Sequence, residues 1–203
     1  MTVSTLLAAL EKISERIDEN KDELIRLDQQ NGDGDLGLSM SDGFHAAVGY
    51  LTSAEERDLG KALSRCADNF NEAAPSSLGT IVAFVMKGMA VRLKGLESCT
   101  LEETAEAMKN GYETVMKRAG SKPGEKTILD SLVPGVEALE RNAGDAKTAF
   151  AQAAQAARAG SEATRAMRAK WGRAAYYGDA SVGLLDGGSV VGALVFEALR
   201  DLQ

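Results

Sequence analysis

Apolar residues return at intervals of three and four along nearly the whole chain, and this rhythm excludes most folds. Leu6, Leu10, Ile13 and Ile17 set it first; Leu59, Leu63, Cys66 and Phe70 repeat it, as do Leu101, Ala105, Met108, Tyr112 and Val115. A helix turning once every 3.6 residues gathers such positions on one side, whereas a half-buried strand needs alternation at every second residue, which nowhere persists. Further helices are predicted at about 38–51, 78–93, 127–141, 146–170 and 189–202. Each is apolar on one face, and such faces can be buried only against one another. An all-α bundle of about eight helices follows. Ser4, Thr100 and Asp145 read as N-caps, Thr100 with Glu103 as a capping box, and Gly95 as the end of the helix before it. No Pro-rich linker or change of composition divides the 203 residues, so residues 1–203 are expected to form one domain.

The formal net charge is -7, with no basic stripe to offset it, which disfavours nucleic acid and anionic membrane surfaces as partners. Any phosphate must be held by metal, backbone amides or a few local cations. Cys66 and Cys99 are too few for a disulfide framework, the N-terminus has no basic-then-apolar signal pattern, and the uncharged run 73–86 is too short to span a bilayer. These features predict a reducing, cytoplasmic location.

The densest chemistry lies between the first two helical segments, where Asp28-Gln-Gln-Asn-Gly32-Asp33-Gly34-Asp35-Leu36-Gly37 puts three carboxylates and three glycines into one short loop. Carboxylates this close repel one another, and a hard divalent cation with oxygen ligands relieves that repulsion. Two other motifs overlap here. Gly32, Gly34 and Gly37 spell a dinucleotide fingerprint, but no strand precedes them and bare aspartates would repel a pyrophosphate. Asn31, Asp33 and Asp35 fall at calcium-loop ligand positions with Asp42 at the twelfth, yet Leu36 stands where that loop needs glycine. A solvated acidic turn is the bland alternative. Mg²⁺ carrying phosphate is the preferred reading.

Three further loops carry chemical potential. The segment 73–80, Ala-Ala-Pro-Ser-Ser-Leu-Gly-Thr, opens an apolar helix whose free amides and dipole suit phosphate oxygens, although a plain Pro-Ser helix start reads the same way. The segment 120–127, Gly-Ser-Lys-Pro-Gly-Glu-Lys-Thr, joins two helices and by itself is a turn. The longest irregular stretch runs from Trp171 to Gly188, and loops of that length in compact domains are often lids. Arg173 within it offers phosphate a planar fork, or a surface ion pair. His45, the only histidine, falls in the predicted 38–51 helix and is read as an ordinary helix side chain.

In this order the segments resemble the DhaL family, the nucleotide-binding subunit of dihydroxyacetone-type kinases. The carriers of the resemblance are Asp28, Asp33, Asp35 and Gly37, then Met40 and Gly43-Phe44, Leu78-Gly79-Thr80, Lys122 to Thr127 with Asp130 and Pro134, Gly172-Arg173-Ala174, and Asp186-Gly187-Gly188. The resemblance implies an antiparallel eight-helix barrel with nucleotide in the loops at one end. It implies that Asp28, Asp33 and Asp35 are the catalytic residues, holding two Mg²⁺ ions against the phosphates of ADP or ATP. Leu36, Gly37, Leu38 and Ser39 would flank those phosphates, with Ala74, Ser76, Ser77, Gly79 and Thr80 as a second wall. Gly120 and Ile128 would line the adenine, and Arg173, Asp186, Gly187 and Gly188 would close the pocket. The ketose would sit on a separate DhaK-type subunit, with ATP or a phosphotransferase-system phosphodonor protein as the source of phosphate. Self-association as a homo-oligomer is left open.

The chain departs from the family pattern at three places. Leu36 stands where many relatives have His, Asn71-Glu72-Ala73-Ala74-Pro75-Ser76 replaces a Gly-Gly-Ala-Ser-Gly-Pro turn, and Gly187 replaces Pro. A donor missing at position 36 would make bound nucleotide easier to exchange. An active phosphotransfer subunit is preferred over a nucleotide-sensing regulatory partner, and that over a calcium-stabilised helical module.

Overall fold

The computed structural model describes residues 1–203, and helices account for every regular element apart from one bridge pairing Thr2 with Ser98. Nine α-helices run in chain order: α1 Val3–Glu19, α2 Lys21–Gln29, α3 Leu36–Ser53, α4 Leu59–Ala73, α5 Ser77–Arg92, α6 Leu101–Ala119, α7 Leu129–Arg141, α8 Ala146–Ala163 and α9 Gly187–Asp201. The expected count of eight is exceeded because the first helix is broken at Asn20. The Asn20 side-chain amide donates to the Arg16 carbonyl at 2.8 Å, and the backbone leaves helical geometry there before α2 resumes.

Neighbours in sequence are neighbours in space. Contacts run from α3 through α4, α5, α6, α7, α8 and α9, and α1 closes the ring by packing on both α9 and α3, while α2 leans on α3 and α9. The apolar stripes therefore face a common lumen, and Phe44 meets Phe70 edge-on inside it with ring centroids 4.9 Å apart. Toward the end where Met1, Leu101, Ala146 and Leu202 gather, the lumen keeps a cavity of about 500 Å³ with almost wholly apolar walls. None of its lining side chains is charged. No helix is long and apolar enough to cross a membrane.

Caps confirm part of the sequence reading and correct part. Thr100 and Asp145 cap α6 and α8 through their side chains, and the Thr100–Glu103 capping box is formed. The cap of α1 is Thr2 rather than Ser4, because the helix begins at Val3 and draws Ser4 into its first turn. Helix α8 ends at Ala163, short of 170. The Thr164 hydroxyl donates back to the Ser161 carbonyl at 2.6 Å, a 3₁₀ turn covers Thr164–Ala166, and the chain then becomes irregular.

Up-and-down order places four connections at one end of the ring: 30–35, 74–76, 120–128 and 164–186. These are the connections that carry the candidate site.

Candidate metal and nucleotide site

Asp28 lies in the last turn of α2, Asp33 in the loop, and Asp35 at the N-cap of α3. The Asp28 Oδ2 accepts from the backbone N–H of Gly34 at 2.7 Å and of Asp35 at 3.1 Å, so the loop folds back over this carboxylate and fixes it. Gly34 turns through φ +79, and a Cβ on Gly32 would collide with the Asp28 carboxylate; both glycines are required by the turn itself. One ligand oxygen from each of Asp28, Asp33 and Asp35 then falls within 4.8 Å of the others. Burial, followed by the neighbouring Asp33 and Asp28 charges, raises the Asp35 carboxyl above its ordinary range.

The one cation against this cluster is Arg173, whose guanidinium stands 2.6 Å from Asp33 Oδ2. It occupies the position of a counter-ion. Three converging carboxylates, one oriented by backbone amides and one already drawing in a positive charge, suit a hard divalent cation with oxygen ligands.

Above the aspartates opens a polar cleft of about 590 Å³, a volume in the range of small-molecule sites. Asp28, Asn31, Asp33, Asp35 and Leu36 form one wall; Pro75, Ser76, Ser77 and Leu78 form the facing one. Ser121, Lys126, Thr127 and Ile128 lie behind, Trp171 to Ala174 overhang, and Asp186, Gly187 and Gly188 line the base. Helices α3, α5, α7 and α9 all begin at this cleft, so four positive helix ends converge on it. Two of those ends are partly satisfied from within. Ser76 Oγ accepts from the Gly79 amide at 3.1 Å, and Asp186 Oδ2 accepts from the Ser189 amide at 2.6 Å. Asp186 is partly exposed among the cleft-lining residues, and the burial of its carboxyl pushes it up to about 7 against the opposing pull of the Ser189 amide and Lys126.

Several residues assigned to nucleotide by the resemblance are not on the cleft wall. Gly37 is buried where α3 crosses the Lys21 carbonyl and Ile25, and Leu38 points outward, 46% exposed. Ser39 continues the first turn of α3, its amide bonded to the Asp35 carbonyl. Ala74 is fully buried, Gly79 sits against its carbonyl, and the Thr80 hydroxyl donates to Asn71 at 3.2 Å. Gly120 ends α6 in a left-handed turn beside the Trp171 ring. Conversely, Ser121, Lys126 and Thr127 line the cleft although the sequence reading assigned them no nucleotide role, and so does Asn31, which entered only as a calcium-loop position. The Lys-Pro-Gly-Glu-Lys-Thr motif signalled Lys126 and Thr127, but a turn-forming pattern does not say which side chains face inward. Leu36 puts a methyl group against Gly187, so where a histidine donor was expected from relatives the wall is apolar. His45 lies on α3 with Nε2 2.9 Å from Asp18, outside the cleft.

Residues 30–201 match the family model described as the DAK2 domain. The ADP-binding subunit DhaL of the PEP-dependent dihydroxyacetone kinase of Escherichia coli (strain K12) is 30% identical over 82% of this chain and 80% of that subunit. Its counterpart in Listeria innocua is 32% identical over 96% and 93%. An L-erythrulose kinase from Pectobacterium atrosepticum is 30% identical over 95% of this chain, which spans 33% of that longer enzyme. In structure, the dihydroxyacetone kinase from C. freundii, in complex with AMP-PNP and Mg²⁺, aligns with a TM-score of 0.77 over 98% of this chain and 34% of that one, at 20% identity. The chain belongs to the DAK2-domain family, among the DhaL subunits of dihydroxyacetone kinases.

Proposed function

We propose that the chain holds a magnesium-bound adenine nucleotide in the cleft above Asp28, Asp33 and Asp35 and serves phosphoryl transfer to a triose or tetrose ketose carried by a DhaK-type partner subunit. The observation that supports this most is the facing of the three carboxylates by the N-terminus of α5 across one polar cleft. Bound by the three aspartates, magnesium would neutralise phosphate charge and favour in-line displacement. The protein's own groups do the remaining work. Asp28, locked by two amides, keeps its ligand oxygen in place; the free amides of Ser77 and Leu78 face phosphate oxygens; Ile128 gives an apolar seat for a base. Arg173 overhangs the aspartates and is placed to move from Asp33 to phosphate once another cation takes the carboxylates.

Calorimetry and thermal melting test the reading. ADP with Mg²⁺ should raise the melting temperature well beyond either component alone, since a ligand that binds only the folded state stabilises it by an amount that grows with the logarithm of its concentration over Kd. Stabilisation by Ca²⁺ alone, with no further effect of ADP, would replace this reading with that of a structural calcium loop.

A further inference from the structure

The segment between α8 and α9 presents Trp171 and Arg173 to the cleft, yet its 3₁₀ turns Arg173–Ser181 pack only lightly on the helices, with Ser181 alone of them buried. Tyr176 at its tip is 91% exposed. A loop so thinly packed is positioned largely by its polar tethers, and most of those reaching it from outside originate in two adjacent residues. Glu125 accepts from the Trp171 indole N–H at 2.6 Å and from the Lys170 ammonium at 3.2 Å. Lys126 donates its ammonium to the Thr164 carbonyl at 2.8 Å and to the Leu184 carbonyl at 2.5 Å, which are the two ends of the loop. The neck so formed is reinforced by the Gly183 amide on the Arg165 carbonyl and the Asp186 amide on the Thr164 hydroxyl.

Lys126 is held there at a cost. It is 2% exposed, has no salt bridge, and is the one non-glycine residue with positive φ, at 63°. Left-handed backbone is strained for a residue that bears a side chain, and strain of this kind gathers at sites with a task. Asp130 imposes the turn, accepting from the Gly124 amide at 2.5 Å and the Thr127 amide at 2.7 Å.

We propose that Lys126 is the positioning residue of the cleft: by joining the Thr164 and Leu184 carbonyls it fixes the neck of the loop, and through Arg173 it sets the affinity for nucleotide. The proposal rests on the nucleotide reading of the cleft. Trp171, the only tryptophan, reports on the loop without any ligand.

In Lys126→Met, which keeps the length of the side chain and removes the donors, acrylamide quenching of Trp171 in the ligand-free protein should rise at least about two-fold, and affinity for Mg²⁺-ADP should fall about ten-fold or more. The Arg173→Ala effect should largely vanish in the Lys126→Met background, because two residues acting through one contact are not additive. Where Lys126→Met does not fold, Lys126→Gly takes its place, removing the backbone strain together with the ammonium. Unchanged Trp171 quenching overturns the proposal. So do additive losses of affinity, which would mean that Lys126 meets the phosphate directly. If the wild-type chain binds no Mg²⁺-ADP, the nucleotide reading fails, and the quenching comparison still decides whether Lys126 fixes the loop.

Discussion

Arg173 has two masters. In the ligand-free protein it neutralises Asp33, and in the proposed complex it would neutralise phosphate, so its removal should separate metal binding from nucleotide binding. Arg173→Ala is expected to bind Mg²⁺ alone more tightly, because a competing cation has gone, and Mg²⁺-ADP several-fold more weakly. Isothermal calorimetry of each ligand checks this, and parallel losses for both would mean that Arg173 supports the loop and does not exchange partners. Asp186 has a different signature. An ordinary aspartate is charged above about pH 4, whereas burial lets this carboxyl keep its proton up to about 7. Between those values the folded state binds a proton that the unfolded state has lost. The stability Asp186 contributes is therefore full below about pH 4 and is lost as pH rises through about 7. Asp186→Asn, which still caps α9, should be more stable than wild type at pH 8 by on the order of 2 kcal/mol and indistinguishable near pH 4. Urea melts across that range measure it, and equal slopes in both proteins would show that Asp186 titrates normally.

At the scale of elements, the start of α5 has a structural and a binding role that can be separated. Ser76 uses its hydroxyl on the Gly79 amide, so Ser76→Ala should destabilise the fold by about 1 kcal/mol while leaving Mg²⁺-ADP affinity within two- to three-fold, since the Ser77 and Leu78 amides remain. A loss of affinity much larger than the loss of stability would make the Ser76 hydroxyl itself a ligand group. The helices were legible in sequence because each buries one stripe at a period of 3.6, a local property. The aspartate cluster was legible for the same reason: Asp28, Gly32, Asp33, Gly34 and Asp35 organise one another within eight residues. What could not be read depends on distant partners. The end of α8 at Ala163 is tied through the next residue to Lys126, whose ammonium donates to the Thr164 carbonyl 38 residues on. The depth of Gly37 follows from a crossing with α2 that exists only once the break at Asn20 redirects the first helix. A motif places residues in a loop, whereas only the packed ring decides which of them face the cleft.

The whole molecule is one closed ring of helices with its chemistry at one end, and the 203 residues are taken up by that ring. The walls of the cleft are carboxylates, helix N-termini and the Trp171 overhang; the lumen cavity is apolar, and an open recess of about 560 Å³ beside the cleft is lined by Asn31, Gly32, Arg173, Tyr176 and Tyr177. Phosphoryl transfer needs donor and acceptor in line, so if the acceptor is bound elsewhere, activity must depend on docking. The purified chain should accordingly show no ketose phosphorylation alone and gain it on mixing with its cognate DhaK-type subunit and phosphoryl donor. Asp35→Asn should abolish that gained activity, because an amide keeps the size of the ligand and removes the charge that would hold Mg²⁺ against the phosphates. The fold should survive, since Asp35 makes no side-chain cap to α3, and relief of repulsion among the three carboxylates should leave the metal-free protein at least as stable. His45→Gln, outside the cleft, serves as the control that changes a polar side chain at the same ring and leaves activity intact. Full activity of Asp35→Asn with the partner, or vigorous ketose phosphorylation by the isolated chain, would remove the aspartate loop from the catalytic role. Nucleotide binding with no transfer in the presence of any such partner would instead make this ring a sensor of nucleotide, using the same cleft and the same three carboxylates.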